Sequence, residues 1–204
     1  MLAEKKHPTG RSDKGEPHHK ADRQQEYILV QVALRLFHEQ GYNNVTFGEI
    51  AKGAGVTVKE ANSFFSSLSD ICHHVIDAHL NNQIAQFEDI DQNNNPRQRL
   101  SQYLDSLVEN TENLVALGCP VTNLYFDVRR EDKALADHAA KLLECRLQWV
   151  TDQFVLITRV ADVSDLPERL TSAIHGMIIM AQVTGRTDLI KTQVNQLKSW
   201  IRSM

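Results

Sequence analysis

Little in this chain could build a covalent or metal framework. Its 204 residues hold three cysteines, Cys72, Cys119 and Cys145, odd in number and widely spaced. No C-x-x-C pair occurs, which argues against a zinc ribbon and a disulfide scaffold and fits reduced thiols. Aromatic residues are scarce, at 6%. Long apolar runs are missing: "AIHGMIIMA" falls far short of the roughly 20 residues that a membrane-spanning helix needs. The opening "MLAEKKHPTGRSDKGEPHHK" is polar and lacks the charged-then-apolar order of a signal peptide. Together these absences point to a cytoplasmic location with no membrane association. Strong charge bias is absent too, since the net charge is −4. Its distribution is uneven, however. Residues 1–23 carry Lys5, Lys6, Arg11, Lys14, Lys20 and Arg23 against Glu4, Asp13, Glu16 and Asp22. Residues 1–22 therefore read as a flexible basic arm.

What the chain does have is helical periodicity. In "QEYILVQVALRLFHEQGY", Ile28, Val32 and Leu36 recur every four residues, flanked by Leu29, Ala33 and Phe37, and Gly41 ends the run. Three segments then open with [ST]-x-x-[DE]: Thr46 with Glu49, Thr57 with Glu60, and Ser67 with Asp70. In such a box the hydroxyl caps one terminal amide and the acid reaches back to another. Three boxes in 25 residues, each leading into apolar residues at helical spacing, mark three helix starts. Gly53 and Gly55 lie between the first two and supply a tight turn. Residues 23–67 thus read as a three-helix helix-turn-helix domain, and residues 68–204 as an all-helical body. Pro96, "GCP" at 118–120, the Asp165–Pro167 start signal and Gly185 divide the body. No run alternates like a strand. The pattern predicts an all-α fold of nine or ten helices.

The residues Ile28-Leu29, Ala33, Leu36-Phe37, Gly41-Tyr42, Thr46, Ile50-Ala51, Ala54-Gly55-Val56 and Phe65 form a set. Across about residues 23–75 that set resembles the N-terminal domain of the tetracycline-repressor (TetR/AcrR) family. More loosely, "LGCPVTNLYFDV" and "AIHGMIIMAQVTGRTDLI" resemble segments of that family's body. The resemblance implies a homodimeric transcriptional regulator, usually a repressor. A small molecule bound in the body would change the spacing of two heads on a double-stranded DNA operator.

The recognition segment departs from the family pattern. That pattern runs Ser/Thr-x-Gly-x-x-Tyr-x-aromatic-Phe, with a lysine soon after. Here Thr57 and Phe65 keep their places, but Lys59, Asn62 and Leu68 replace the glycine, tyrosine and lysine. Two usual phosphate contacts are absent. The expected DNA-facing residues are Arg23, Thr46, Thr57, Val58, Lys59, Asn62 and Ser63. Thr46 and Thr57 would cap helices and meet phosphates, Lys59 would meet phosphate, and Asn62 could pair with adenine. The basic arm would supply part of what the segment lacks. The alternative is a ligand-binding or protein-interaction module of the same fold whose head no longer reads a specific operator.

In the body, Tyr103, Leu107, Tyr125, Phe126, Leu143, Trp149 and Met177 are candidates to line a pocket for a small apolar ligand. Phe154, His175, Gly176 and Met180 lie on the helices expected to form the dimer interface. Sequence does not separate pocket from interface for these residues. The "DICHHVIDAH" stretch places His73 with Asp77, and Asp70 with His74, at ligand spacing. It reads as a polar connector helix with local pairs, so no metal is expected. The lone G-x-G in "AKGAGV" lacks a preceding strand and a third glycine. With no Walker or G-x-S-x-G motif either, neither an enzyme nor a cofactor is expected.

Overall fold

The computed structural model describes residues 16–204 apart from 161, 162 and 164, with side chains described from residue 21 onward. Ten α-helices follow one another: α1 (Glu16–Gln40), α2 (Phe47–Gly53), α3 (Val58–Ala61), α4 (Leu68–Ile90), α5 (Pro96–Glu109), α6 (Thr111–Leu117), α7 (Pro120–Val128), α8 (Lys133–Thr158), α9 (Leu166–Thr184) and α10 (Thr187–Ser203). A short 3-10 turn, Tyr42–Asn44, follows α1. No strand occurs among the described residues, so the fold is all-α, as the periodicity predicts.

Helix α1 starts inside the stretch expected to be a flexible arm. The physical reason lies in Glu16 and Pro17. An acid and a proline suit a first turn, where a missing N–H costs nothing. Residues 1–15, with Lys5, Lys6, Arg11 and Lys14, lie outside the described residues.

The head, α1 to α3, closes over Leu29, Ala33, Phe37, Ile50, Ala61 and Phe65, all buried. Helix α4 joins head to body. Its early residues Ile71, Val75 and Ile76 and its late residues Phe87 and Ile90 are buried. Helix α8 is the axis of the body, packing against α4, α5, α7 and α9. Its inward stripe runs Leu135, Ala139, Leu142, Arg146, Trp149, Gln153 and Ile157, at intervals of three and four. Trp149 stacks on Phe87 with ring centroids 4.3 Å apart.

A polar clamp fastens head to body. The Tyr42 amide donates to an Asp127 carboxylate oxygen at 2.8 Å, and the Asn43 side chain donates to the Asp127 carbonyl at 3.2 Å. These bonds fix the 3-10 turn to the end of α7.

Candidate nucleic-acid interface and body cavity

The two short helices of the head are held open by their caps. Thr46 and Thr57 each make a full box, accepting from the amide of Glu49 or Glu60 at 3.2 Å while that acid takes the threonine amide. At the third start the box is only half made. Ser67 caps the Asp70 amide at 3.0 Å, but the Asp70 carboxylate takes the amide and hydroxyl of Ser66, one residue further back. Between α2 and α3, Gly55 sits at φ +72°, which a side chain would strain. Gly53 has a different role from the turn formation expected of it. It ends α2, and a Cβ there would lie 2.7 Å from a Val32 methyl, so it permits close packing of α2 on α1.

This arrangement leaves Thr57, Val58, Lys59, Asn62 and Ser63 exposed on one segment. Thr46 stands at the neighbouring helix start; a Cβ on Gly48 beside it would lie 3.9 Å from Val58. Arg23 lies apart from these, on α1, where it lines a groove against α4.

The electrostatics are modest. Residues 21–67 hold Arg23, Arg35, Lys52 and Lys59 against Asp22, Glu26, Glu39, Glu49 and Glu60. Arg35 is paired with Glu39 at 2.7 Å. The threonine hydroxyls are also committed. Those of Thr46 and Thr57 donate to Glu49 and Glu60 at 2.7 Å each. Bonds from Thr57, its amide first, hold the Glu60 carboxyl below its ordinary range, and the Thr46 hydroxyl and amide do the same for Glu49. Ser63 donates to the Glu60 carbonyl at 2.6 Å. Lys52, Lys59 and Asn62 are exposed and carry donor groups. Thr57→Ala is expected to lower stability by about 1 kcal/mol, the typical value of a lost cap. Urea denaturation checks this, and an unchanged midpoint would show that the box does not hold α3.

In the body, a cavity of about 360 Å³ opens between α4, α5, α6, α7, α8 and α9. Tyr103 and Leu107, two of the seven candidate pocket residues, line it. The other five expected lining residues lie elsewhere. Trp149 and Met177 are buried in the core, and Tyr125 and Leu143 are half-buried on α7 and α8. Phe126 is exposed beneath Arg129, whose guanidinium stands 5.3 Å from the ring. Sequence reasoning missed His79, Gln83, Cys119 and Arg146, which also line the cavity. A signal for two of them was present. Arg146 falls on the apolar stripe of α8, and Gln83 stands four residues before Phe87 on that of α4. A polar group in such a register has to face something polar.

The Arg146 guanidinium donates through Nε and Nη2 to Gln83 Oε1, at 3.2 and 3.0 Å. Gln83 in turn donates to the Leu142 carbonyl at 2.9 Å, which fixes its orientation. Burial raises the Cys119 thiol, but the Arg146 charge and bonds involving Thr122 and Arg146 bring it below its ordinary value. Burial first, then the His38 and Arg146 charges, pushes His79 down to about 4.

Of the four expected interface residues, Phe154 is fully buried against Trp200, and His175 is partly buried with Nε2 lacking a partner. Gly176 and Met180 face outward on α9, in one stripe with Ile179 and Val183. In the connector helix, His73 Nδ1 meets His138 Nδ1 at 2.9 Å, and Asp77 pairs with His138 Nε2 at 2.9 Å. His74 packs edge-on against Phe65.

Residues 29–71 match the model of the family described as bacterial regulatory proteins, tetR family. An HTH-type transcriptional regulator from Staphylococcus aureus is 36% identical over 62 residues, 30% of this chain and 34% of that protein. The matched stretch thus spans about a third of the relative's length. A TetR-family regulator from Agrobacterium tumefaciens shares the fold with a TM-score of 0.77 at 15% identity, covering 87% of this chain and 97% of that one. The regulator FadR from Bacillus subtilis, solved with stearoyl-CoA, matches with a TM-score of 0.65 at 16% identity, covering 86% and 96%. The family match falls on the capped three-helix head, and the structural likeness runs through the body behind it. Residues 29–71 thus carry the DNA-binding head of the tetR family of bacterial regulatory proteins, on a chain whose fold is shared with solved TetR-family regulators.

Proposed function

We propose that this protein is a ligand-responsive DNA-binding transcriptional regulator, most simply a repressor, that acts as a homodimer and is not an enzyme. One observation carries the reading: paired capping boxes and a left-handed glycine hold a short helix so that Lys59 and Asn62 project outward. A helix so presented suits a major groove, where Asn62 could read adenine and Lys59 could meet a phosphate. The body cavity supports an effector site. The outward Gly176, Ile179, Met180 and Val183 stripe supports a second copy as partner. No helix among the described residues is long and apolar enough to cross a membrane.

A second reading is kept because of the head's charge. Four cations face five acids there, and the capping hydroxyls are engaged with carboxylates. Such a head could have lost specific binding and left the body as the working part. Fluorescence anisotropy with DNA from the protein's own promoter, across a salt series, separates the two. Tight binding with a steep salt slope is expected for the regulator, and weak, sequence-blind binding for the alternative. Lys59→Ala is expected to weaken all sequences about equally and to reduce the salt slope by about 1. Asn62→Ala is expected to cost about 1–3 kcal/mol of discrimination at one position. If neither change alters binding, α3 does not carry recognition.

A further inference from the structure

We infer that the body cavity takes a small carboxylate, held by Arg146 and Tyr103, rather than the purely apolar guest expected from the sequence. This inference rests on the reading of the body as an effector domain. Three observations meet at one place. First, Arg146 lines the cavity, and among the described residues no carboxylate lies within 4 Å of its guanidinium. A charge drawn out of water without a countercharge is costly, and an anionic guest would offset that cost. Second, the guanidinium is oriented. Nε and Nη2 each donate to Gln83 Oε1, and Nη1 stands 4.0 Å from Cys119 Sγ. Three of its five N–H groups are thus engaged, and two remain on the paired terminal nitrogens. Two parallel N–H groups on those nitrogens match the two oxygens of a carboxylate. Third, the Tyr103 hydroxyl, on a residue only 4% exposed, has no hydrogen-bond partner although it lines the same cavity. A buried hydroxyl left so is costly, and a guest oxygen would satisfy it.

The charge balance narrows the guest further. Arg146 is the one cation of the lining at neutral pH, because His79 is held neutral by burial and by the neighbouring His38 and Arg146. One guanidinium with an uncharged phenol matches one negative charge, which favours a carboxylate over a doubly charged phosphate. Leu107, Leu114, Val121 and Ile178 supply apolar wall for a short hydrocarbon part. The volume of about 360 Å³ sits at the lower end of the roughly 300–1,000 Å³ usual for small-molecule sites. Cys119 is the rival for the guanidinium, as a thiolate partner inside the protein.

Calorimetry on the full chain without DNA tests this, with benzoate and hexanoate as probes and benzamide and hexanamide as their neutral counterparts. The carboxylates are expected to bind at millimolar concentration or below and the amides to bind at least about tenfold more weakly. Arg146→Gln is expected to remove that preference. If Arg146→Gln fails to fold, Tyr103→Phe keeps the shape of the wall and is expected to weaken carboxylate binding severalfold. Cys119→Ser is expected to leave the preference in place. Equal binding of acids and amides, no binding of either acid, or loss of the preference in Cys119→Ser overturns the carboxylate site. None of these outcomes bears on operator binding, so the effector reading is judged apart, by whether a bound probe shifts the anisotropy titration.

Discussion

Acidifying the protein from pH 6.5 to 4 is expected to cost it roughly 3 kcal/mol through His79 alone, a large share of a typical folding free energy. Burial first, and then the His38 and Arg146 charges, moves this imidazole from the ordinary 6.5 to about 4. An unfolded chain takes up the proton near 6.5, whereas the folded chain resists until about 4. Between those values the unfolded state holds more protons, so stability rises with pH. The contribution is complete above 6.5, falls as the pH drops, and is gone by about 4. His175 moves the same way, burial leading and Arg146 second, and its pKa is also about 4. Its share is smaller because solvent partly reaches it. Urea denaturation across the range checks the sign and the window. His79→Gln should make the curve shallower between 6.5 and 5, leaving the smaller His175 part, above the range where the exposed Glu49 and Glu60 titrate. A wild-type curve already flat there would show that His79 is not held neutral by the fold.

Ile179→Glu combined with Val183→Glu is expected to turn the protein into a monomer and to weaken operator binding by about 100-fold or more. That is the scale of the gain from linking two half-site contacts. Ile179, Met180 and Val183 are 58%, 52% and 78% exposed on α9, unusual for three large apolar side chains so close together. Gly176 continues the stripe one turn earlier. A Cβ there would meet nothing within 4 Å, so the single chain gives no steric reason for glycine. In mid-helix, glycine costs about 1 kcal/mol relative to alanine. Close approach of a second α9 would account for it. In a two-fold interface each substitution occurs twice, and an unpaired charge buried there costs about 3–5 kcal/mol. Sedimentation velocity reads the oligomeric state directly. A variant that stays dimeric with full operator affinity would move the interface to another face.

The head was largely legible because its signals are local. A hydroxyl and an acid three residues apart announce a helix start wherever they fall, and Thr46–Glu49 and Thr57–Glu60 close as expected. Ser67–Asp70 carries the same letters but closes on Ser66, since the bond depends on the approach of the preceding backbone. The long helices of the body were legible from their apolar spacing. The cavity was not, because its wall comes from six helices whose mutual rotation no single segment encodes. Aromatic residues looked like pocket residues, yet Trp149 spends its ring on Phe87 inside the core. Arg146 and Gln83 carried the better signal: polar side chains placed where the spacing demands apolar ones. Phe154 and Met180 show the same limit on interfaces. Both are apolar and on late helices, and only packing decides that one faces inward and the other out.

Helix α7 runs from the cavity wall to the turn behind α1. Its first residues, Pro120 and Val121, form part of the cavity wall, and its next-to-last, Asp127, grips the turn that follows α1. Nine residues of helix span about 13 Å and transmit an axial push with little give. If the body is the effector domain proposed above, a guest that shifted Pro120 would act on Tyr42, and through it on the scaffold that aims α3. Sensing and aiming would then share one stiff spoke.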